Sequence, residues 1–174
     1  MRRYRGMARL AGVVAVMVIA APLALHHALA GGDQVPFRGT MTGKLVQTPL
    51  NSPATSWSVE ITGTGQATHL GRVAVSISNA KIDLGDGTLL PGTPLGVGTF
   101  SNTRGDKVAG QYAWVGFPTP TPGVLGFAGA FVITGGEGRF AGATGHGTFY
   151  GRGDLATNLV TATFDGTVRA PRQN

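Results

Sequence analysis

From residue 31 onward no stretch keeps an apolar period of about 3.6 residues for three turns, whereas apolar and polar residues alternate repeatedly. Phe37, Met41 and Leu45 alternate with Arg38, Thr40, Thr42 and Lys44. Trp57, Val59 and Ile61 alternate with Ser58 and Glu60. Val160, Ala162, Phe164 and Val168 alternate with Thr161, Thr163, Asp165 and Thr167. Successive side chains of a strand point to opposite faces, so each segment reads as a strand with one wet and one dry face. Glycine supplies 29 of the 174 residues and recurs every few positions, which further disfavours helix.

The breaks between these segments are also legible. Leu84-Gly85-Asp86-Gly87-Thr88 and Thr103-Arg104-Gly105-Asp106-Lys107 read as hairpin connections, because Gly and Asp tolerate positive φ. Asn51-Ser52-Pro53 is another break. Pro118 to Gly123 reads as a stiff loop that cannot join a ladder. Eight strands follow, near 36–47, 56–65, 69–84, 96–103, 107–117, 124–134, 144–155 and 158–169. Short connections predict sequential antiparallel neighbours in an all-β, eight-stranded barrel, up-and-down or closely related.

The first thirty residues are of another kind. A basic head (Arg2, Arg3, Arg5, Arg9) precedes an uncharged apolar run from Leu10 to Leu25, and Ala28-Leu29-Ala30 gives a small-x-small ending. This is the three-part pattern of a cleavable signal peptide, removed after Ala30. The run is shorter than the ~20 residues needed to span a bilayer and contains Pro22. Arg2-Arg3 lacks the flanking residues of a twin-arginine leader, and no cysteine follows for lipid attachment. The reading is therefore a leader over 1–30 and one exported domain over 31–174, released outside the cell or retained in a periplasm or cell wall.

Export alters the charge argument. Of fourteen basic residues four lie in the leader, leaving ten against eight acids. No basic cluster remains for a phosphate backbone, so nucleic acid is not an expected partner, nor is a membrane span after processing. Without cysteine there are neither disulfides nor thiolate metal sites. Stability must then come from packing and from a ladder with no unpaired edge, which again favours a closed barrel. Val124 to Ile133 is apolar or glycine throughout. Such a strand is covered on both sides or lies at a subunit interface, which predicts a homo-oligomer, a dimer or trimer.

The most distinctive stretch, Ile133 to Gly145, reads I-T-G-G-x-G-x-F-x-G-x-x-G. Gly135, Gly136 and Gly138 suit a tight turn with positive φ, and Phe140 suits a plug for one end of the core. Gly142 and Gly145 let the returning backbone pass close to its neighbour. No helix follows, so this is not a dinucleotide fingerprint. The stretch resembles the segment that links two adjacent strands in plant allene oxide cyclases and dirigent proteins. Gly63 to Arg72 and the Asn102-to-Lys107 turn resemble bacterial exported proteins of the same barrel superfamily. Together these pieces frame residues 37–169. The resemblance implies the barrel fold and, for activity, an isomerase or cyclase acting on an apolar, oxidised-lipid-like substrate. Beyond the glycines neither family's active-site pattern is matched, and Thr144 stands where dirigent sequences commonly carry arginine.

Candidate chemistry is sparse. Glu60 and His69 are the acid–base candidates, although Glu60 alternates onto the polar face and His69 suits a strand end. His146 falls on the surface if the Phe149 face points inward. Two histidines without a third do not make a metal site, and no metal or cofactor is expected. Asp83 and Asp86 suit turn capping and miss a calcium-loop pattern. Arg104-Gly105-Asp106 spells an adhesion tripeptide that hairpin composition explains by chance. Trp57, Tyr112, Trp114 and Phe131 are the candidate lining of an apolar pocket. The leading expectation is a non-catalytic exported barrel that binds a small apolar molecule or a protein partner. The isomerase or cyclase, and a structural subunit of a surface assembly, stand as alternatives.

Overall fold

The computed structural model describes residues 33–50, 56–83 and 96–171. Eight strands run in order: β1 (Gln34–Pro49), β2 (Ser56–Ala67), β3 (Gly71–Asp83), β4 (Gly96–Ser101), β5 (Lys107–Pro118), β6 (Val124–Glu137), β7 (Thr144–Asp154) and β8 (Leu159–Arg169). Each pairs antiparallel with its neighbour in sequence, and β8 closes onto β1. The barrel therefore has no free edge. The leader, the Asn51–Pro53 break and the Leu84–Thr88 turn, with Asp86, lie outside the described residues.

Alternation decides what faces inward. On β1, Phe37, Met41 and Leu45 are buried while Arg38, Thr40, Thr42 and Lys44 are exposed. On β8, Val160, Phe164 and Val168 are buried and Thr161 and Asp165 are exposed. The outer wall is rich in threonine; Thr42 pairs with Thr64 on β2 and with Thr161 on β8. Arg38 donates to Asp165 across the same wall at 2.8 Å. Both of those side chains are more than half exposed, so this pair contributes little stability.

Three connections gather at one end of the barrel: residues 68–70, 102–106 and 138–143. A single-turn 3-10 helix, Gly138–Phe140, sets Phe140 into this end, where it packs in one buried cluster with Leu70, Val73, Ala143 and Val168. Asp106 is buried here. Arg139 donates to it three times: Nη2 and Nε to Oδ2 at 2.7 and 2.9 Å, and the backbone N–H to Oδ1 at 3.0 Å. Asn102 adds a fourth bond, Nδ2 to Oδ2 at 3.2 Å. The Asn102 side chain also accepts from the N–H groups of Arg104 and Asp106 and donates to the Leu70 carbonyl. Arg139 Nη2 reaches the His69 carbonyl at 3.1 Å. One carboxylate, one guanidinium and one amide thus knit all three connections together.

Several expected details need correction. Gly135 and Gly136 do not form the turn; β6 carries through them to Glu137, with a register shift against β5 opposite Ala109 and Gly110. Positive φ belongs to Gly138 (61°) and Gly142 (70°) instead. Gly136 and Gly145 are the close-approach positions, since a Cβ there would run into the carbonyls of Lys107 and Thr167. β3 begins at Gly71 because His69 sits in the preceding turn with φ 66°. Pro118 does join the ladder, as the last residue of β5 opposite Leu125, a strand end where a missing N–H costs least. Asp106 of the adhesion-like tripeptide is buried under Arg139 and so is not presented to a partner.

Two outcomes follow from the knotted end. Hydrogen bonds from the Arg139 side chain, then from its backbone N–H, hold the Asp106 carboxyl well below the usual carboxylate range. In the unfolded chain it titrates near its ordinary value of about 3.9, so on acidification the unfolded state takes up this proton first. Its stabilising contribution is complete above pH ~4 and is lost as pH falls further toward the folded value. Thermal melts from pH 7 to 2 are expected to show Asp106→Asn melting lower than wild type at pH 7, with the gap narrowing below pH ~4; a constant gap refutes the assignment. Gly138→Ala places a methyl 2.6 Å from Asp106 Oδ1 at a positive φ. Urea denaturation is expected to show a loss of about 1–3 kcal/mol.

Candidate functional site

Inside the wall, aromatic rings and glycines stand in register. On the β6–β7 hairpin Phe127 pairs with Gly151, Gly129 with Phe149, and Phe131 with Gly147. A Cβ on any of these three glycines would collide with the ring across from it. The same relation joins Gly39 to Phe164 and Gly96 to Tyr112. Each ring therefore lies along the wall over a glycine of the next strand instead of projecting into the centre. Neighbouring rings then meet at angles: Phe37 with Phe100 at 6.0 Å and 86°, Tyr112 with Phe149 at 6.0 Å and 78°. Such edge-to-face contacts are the preferred geometry of aromatic pairs.

Phe37 on β1 and Phe100 on β4 meet across the interior, but where rings lie over glycines the interior is left partly open. It holds a cavity of about 90 Å³ counted as space open to the centres of water molecules. One water needs about 10–15 Å³ on that measure, so there is room for a small organic molecule. Phe37, Phe100, Phe127, Phe131, Phe149 and Phe164 line it, with Met41, Ile77, Val108, Ile133, Val160, Ala162 and Gly98 between them. It runs from Phe37 and Phe100, below the plugged end, to Tyr112, Phe127 and Val160 toward the other end. Space bounded by rings and aliphatics offers water no partners, and such cavities stay dry and take apolar guests. Gly98 borders open space, since a Cβ there would meet only Ile77 Cγ1, at 3.8 Å.

Among the described residues one polar side chain lines the inner wall, and the surface it turns to the space is that of its ring. Tyr112 is half-buried, and its hydroxyl donates to the Ser78 carbonyl at 3.4 Å, long for a hydrogen bond between oxygens. Burial pushes its pKa further up, so the phenol stays protonated. Gln111 also contributes to the wall but is exposed, its side chain alternating outward from Gly110 and Tyr112.

Of the residues singled out by sequence, Tyr112 and Phe131 line the cavity. Trp114 does not; two residues on from Tyr112 along the same face of β5, its ring packs on Phe127 at 6.1 Å and with the Leu45, Val59 and Val160 cluster. Trp57 is half-buried and also outside the lining, and its buried indole Nε1 has no hydrogen-bond partner. Glu60 and His69 are both exposed and neither borders the cavity. His69 lies instead on a polar surface recess at the plugged end, beside Arg72, Asn102, Arg104 and Arg139. His146 is exposed on the outer wall, as the inward Phe149 face requires. Among the described residues no group of three His, Asp or Glu side chains is placed to hold a metal ion, and no helix is long and apolar enough to cross a membrane.

The other five lining phenylalanines were not picked out by sequence reasoning. A signal for three of the lining rings was present: Phe127-Ala-Gly-Ala-Phe131 and Gly147-Thr-Phe-Tyr-Gly151 carry large and small inner residues in opposite phase. That is the pattern two strands need to interlock.

No family model matches the chain, and comparison with curated proteins and with solved structures finds no similar protein. What the site can do must therefore be argued from its own geometry.

Proposed function

We propose that this is an exported, non-catalytic β-barrel of the allene oxide cyclase and dirigent type, which holds a small apolar molecule in its interior. The observation that carries this reading is the aromatic-walled cavity beneath the plugged end, bordered by no carboxylate, imidazole or cation among the described residues. An empty apolar cavity forfeits dispersion contacts that a guest restores. Export rests on the leader pattern of residues 1–30, and the superfamily on the glycine motif from Ile133 to Gly145. The competing isomerase or cyclase reading needs a positioned acid or base, and both sequence candidates stand outside the cavity.

Gly98→Leu tests the proposal, because Gly98 lines the cavity and a Cβ there meets no backbone. Glycine inside a strand is itself a weak point, so the variant is expected to melt at or above the wild-type temperature. Toluene is expected to raise the wild-type melting temperature and to leave that of Gly98→Leu unmoved. Equal shifts in both proteins would mean that toluene binds elsewhere and would refute the cavity as the site.

A second reading, an interface between copies of this chain, is favoured by the outer face of β5 to β7. Val115, Phe117 and Tyr150 are 56, 47 and 65% exposed beside the outer face of β6, where Ala130 is exposed, Ala128 and Val132 are half-buried and Gly126 is buried under the Phe117 ring. The apolar run expected to be covered thus has one face in the barrel and the other partly open. Light scattering after size-exclusion chromatography is expected to give a dimer or trimer that Val115→Asp reduces to monomers. A monomeric wild type removes this reading.

A further inference from the structure

Three guanidinium groups meet at the surface recess on the plugged end. Arg72 comes from the start of β3, Arg104 from the connection after β4, and Arg139 from the connection after β6. His69 and Thr103 share the rim with them, and none of the residues lining this recess borders the interior cavity.

The recess is shaped before anything enters it. The buried Asp106 carboxylate and the His69 carbonyl engage Nε and Nη2 of Arg139, which leaves its Nη1 for another acceptor. The backbone of Arg104 is set by its own N–H, which donates to the Asn102 side chain at 2.9 Å. His69 is held at φ 66°, a left-handed conformation uncommon outside glycine, and its carbonyl is the one that Arg139 grips. Such a conformation persists where the surroundings over-determine it.

The charges gathered here also restrict the ligand. Asp106 answers Arg139, and the exposed side chains of Arg72 and Arg104 add two more positive charges to the same rim. Like charges brought together repel, and an anion seated among them is attracted by each. A carboxylate offers one charge and two oxygens, which a single bidentate guanidinium satisfies. A phosphomonoester offers three acceptor oxygens and a charge of about −1.5 to −2 at neutral pH. Donors that arrive from three separate parts of the chain suit the second. We infer that this recess binds a phosphomonoester group, gripped by the Arg72 and Arg104 side chains, with Arg139 and His69 completing the rim.

The test is calorimetry with glycerol phosphate at fixed low salt, on the processed protein. Arg72→Gln/Arg104→Gln removes two exposed charges and leaves the Asp106–Arg139 pair alone. Lys44→Gln/Arg152→Gln removes two exposed charges from the outer wall toward the other end, and so is the matched control. Thermal melts verify that both variants are folded. Affinity is expected to fall about tenfold in Arg72→Gln/Arg104→Gln and to stay at the wild-type value in the control. Sedimentation with phosphatidylcholine vesicles, with and without phosphatidic acid, tells a lipid headgroup from a soluble ester, since both present the same phosphate. Capture that needs phosphatidic acid and is lost in Arg72→Gln/Arg104→Gln supports the inference with a lipid as the source. An equal effect of the two double variants, acetate bound as tightly as glycerol phosphate, or a wild type that binds neither phosphate source overturns it. The cavity reading is untouched by any of these outcomes.

Discussion

The pairing of Asp106 with Arg139 underlies the interior. It joins the connection after β4 to the one after β6, and through the His69 carbonyl it reaches the connection after β2. Phe140 is the next residue along the chain from Arg139, so the bond that fixes the guanidinium also seats the plug. A barrel open at both ends would be a wet tube. Closed at this end, it keeps an apolar volume beneath the plug. Burying a carboxylate is costly unless its lone pairs are met, and here four donors meet them, three from Arg139 and one from Asn102. This end is therefore built for definition of shape as much as for stability.

The second constraint is steric. Eight strands make a cylinder whose inside is just wide enough for side chains to fill. Here they fill it only in part: Phe37 and Phe100 meet across it near the plugged end, while other rings recline over glycines and leave space beside them. Glycine weakens a strand, and the cost is offset by the ring of the facing residue, which covers the exposed backbone. Tyr112 over Gly96 shows the same device on another strand pair.

Much of the fold could be read directly, because alternation is local. Phe37, Met41 and Leu45 announce β1 without reference to any other strand, and the antiparallel order follows from short turns. The cavity could not be read that way. Whether Phe131 fills the centre or lies against the wall depends on Gly147 facing it, a relation between strands that only register supplies. Trp57 and Trp114 drew attention by size, yet Trp114 packs with the Leu45, Val59 and Val160 cluster and not at the cavity. The Asp106–Arg139 pair was hidden for a similar reason: its members are 33 residues apart and each looked like ordinary turn composition. In the glycine motif Gly138 turns and Gly145 serves close approach, as expected, while Gly136 and Gly142 exchange these two tasks and Gly135 continues the strand.

In the opposed phases of Phe127-x-Gly129-x-Phe131 and Gly147-x-Phe149-x-Gly151 each glycine is fixed twice over: a Cβ would meet the facing ring and also a backbone carbonyl of the strand on its other side, that of Ala113 for Gly129, Asp165 for Gly147 and Thr161 for Gly151. A ring therefore cannot be handed to the opposite strand without moving the sheet. A lineage that reshaped this interior would do so by trimming the rings themselves, and the glycines would stay where they are.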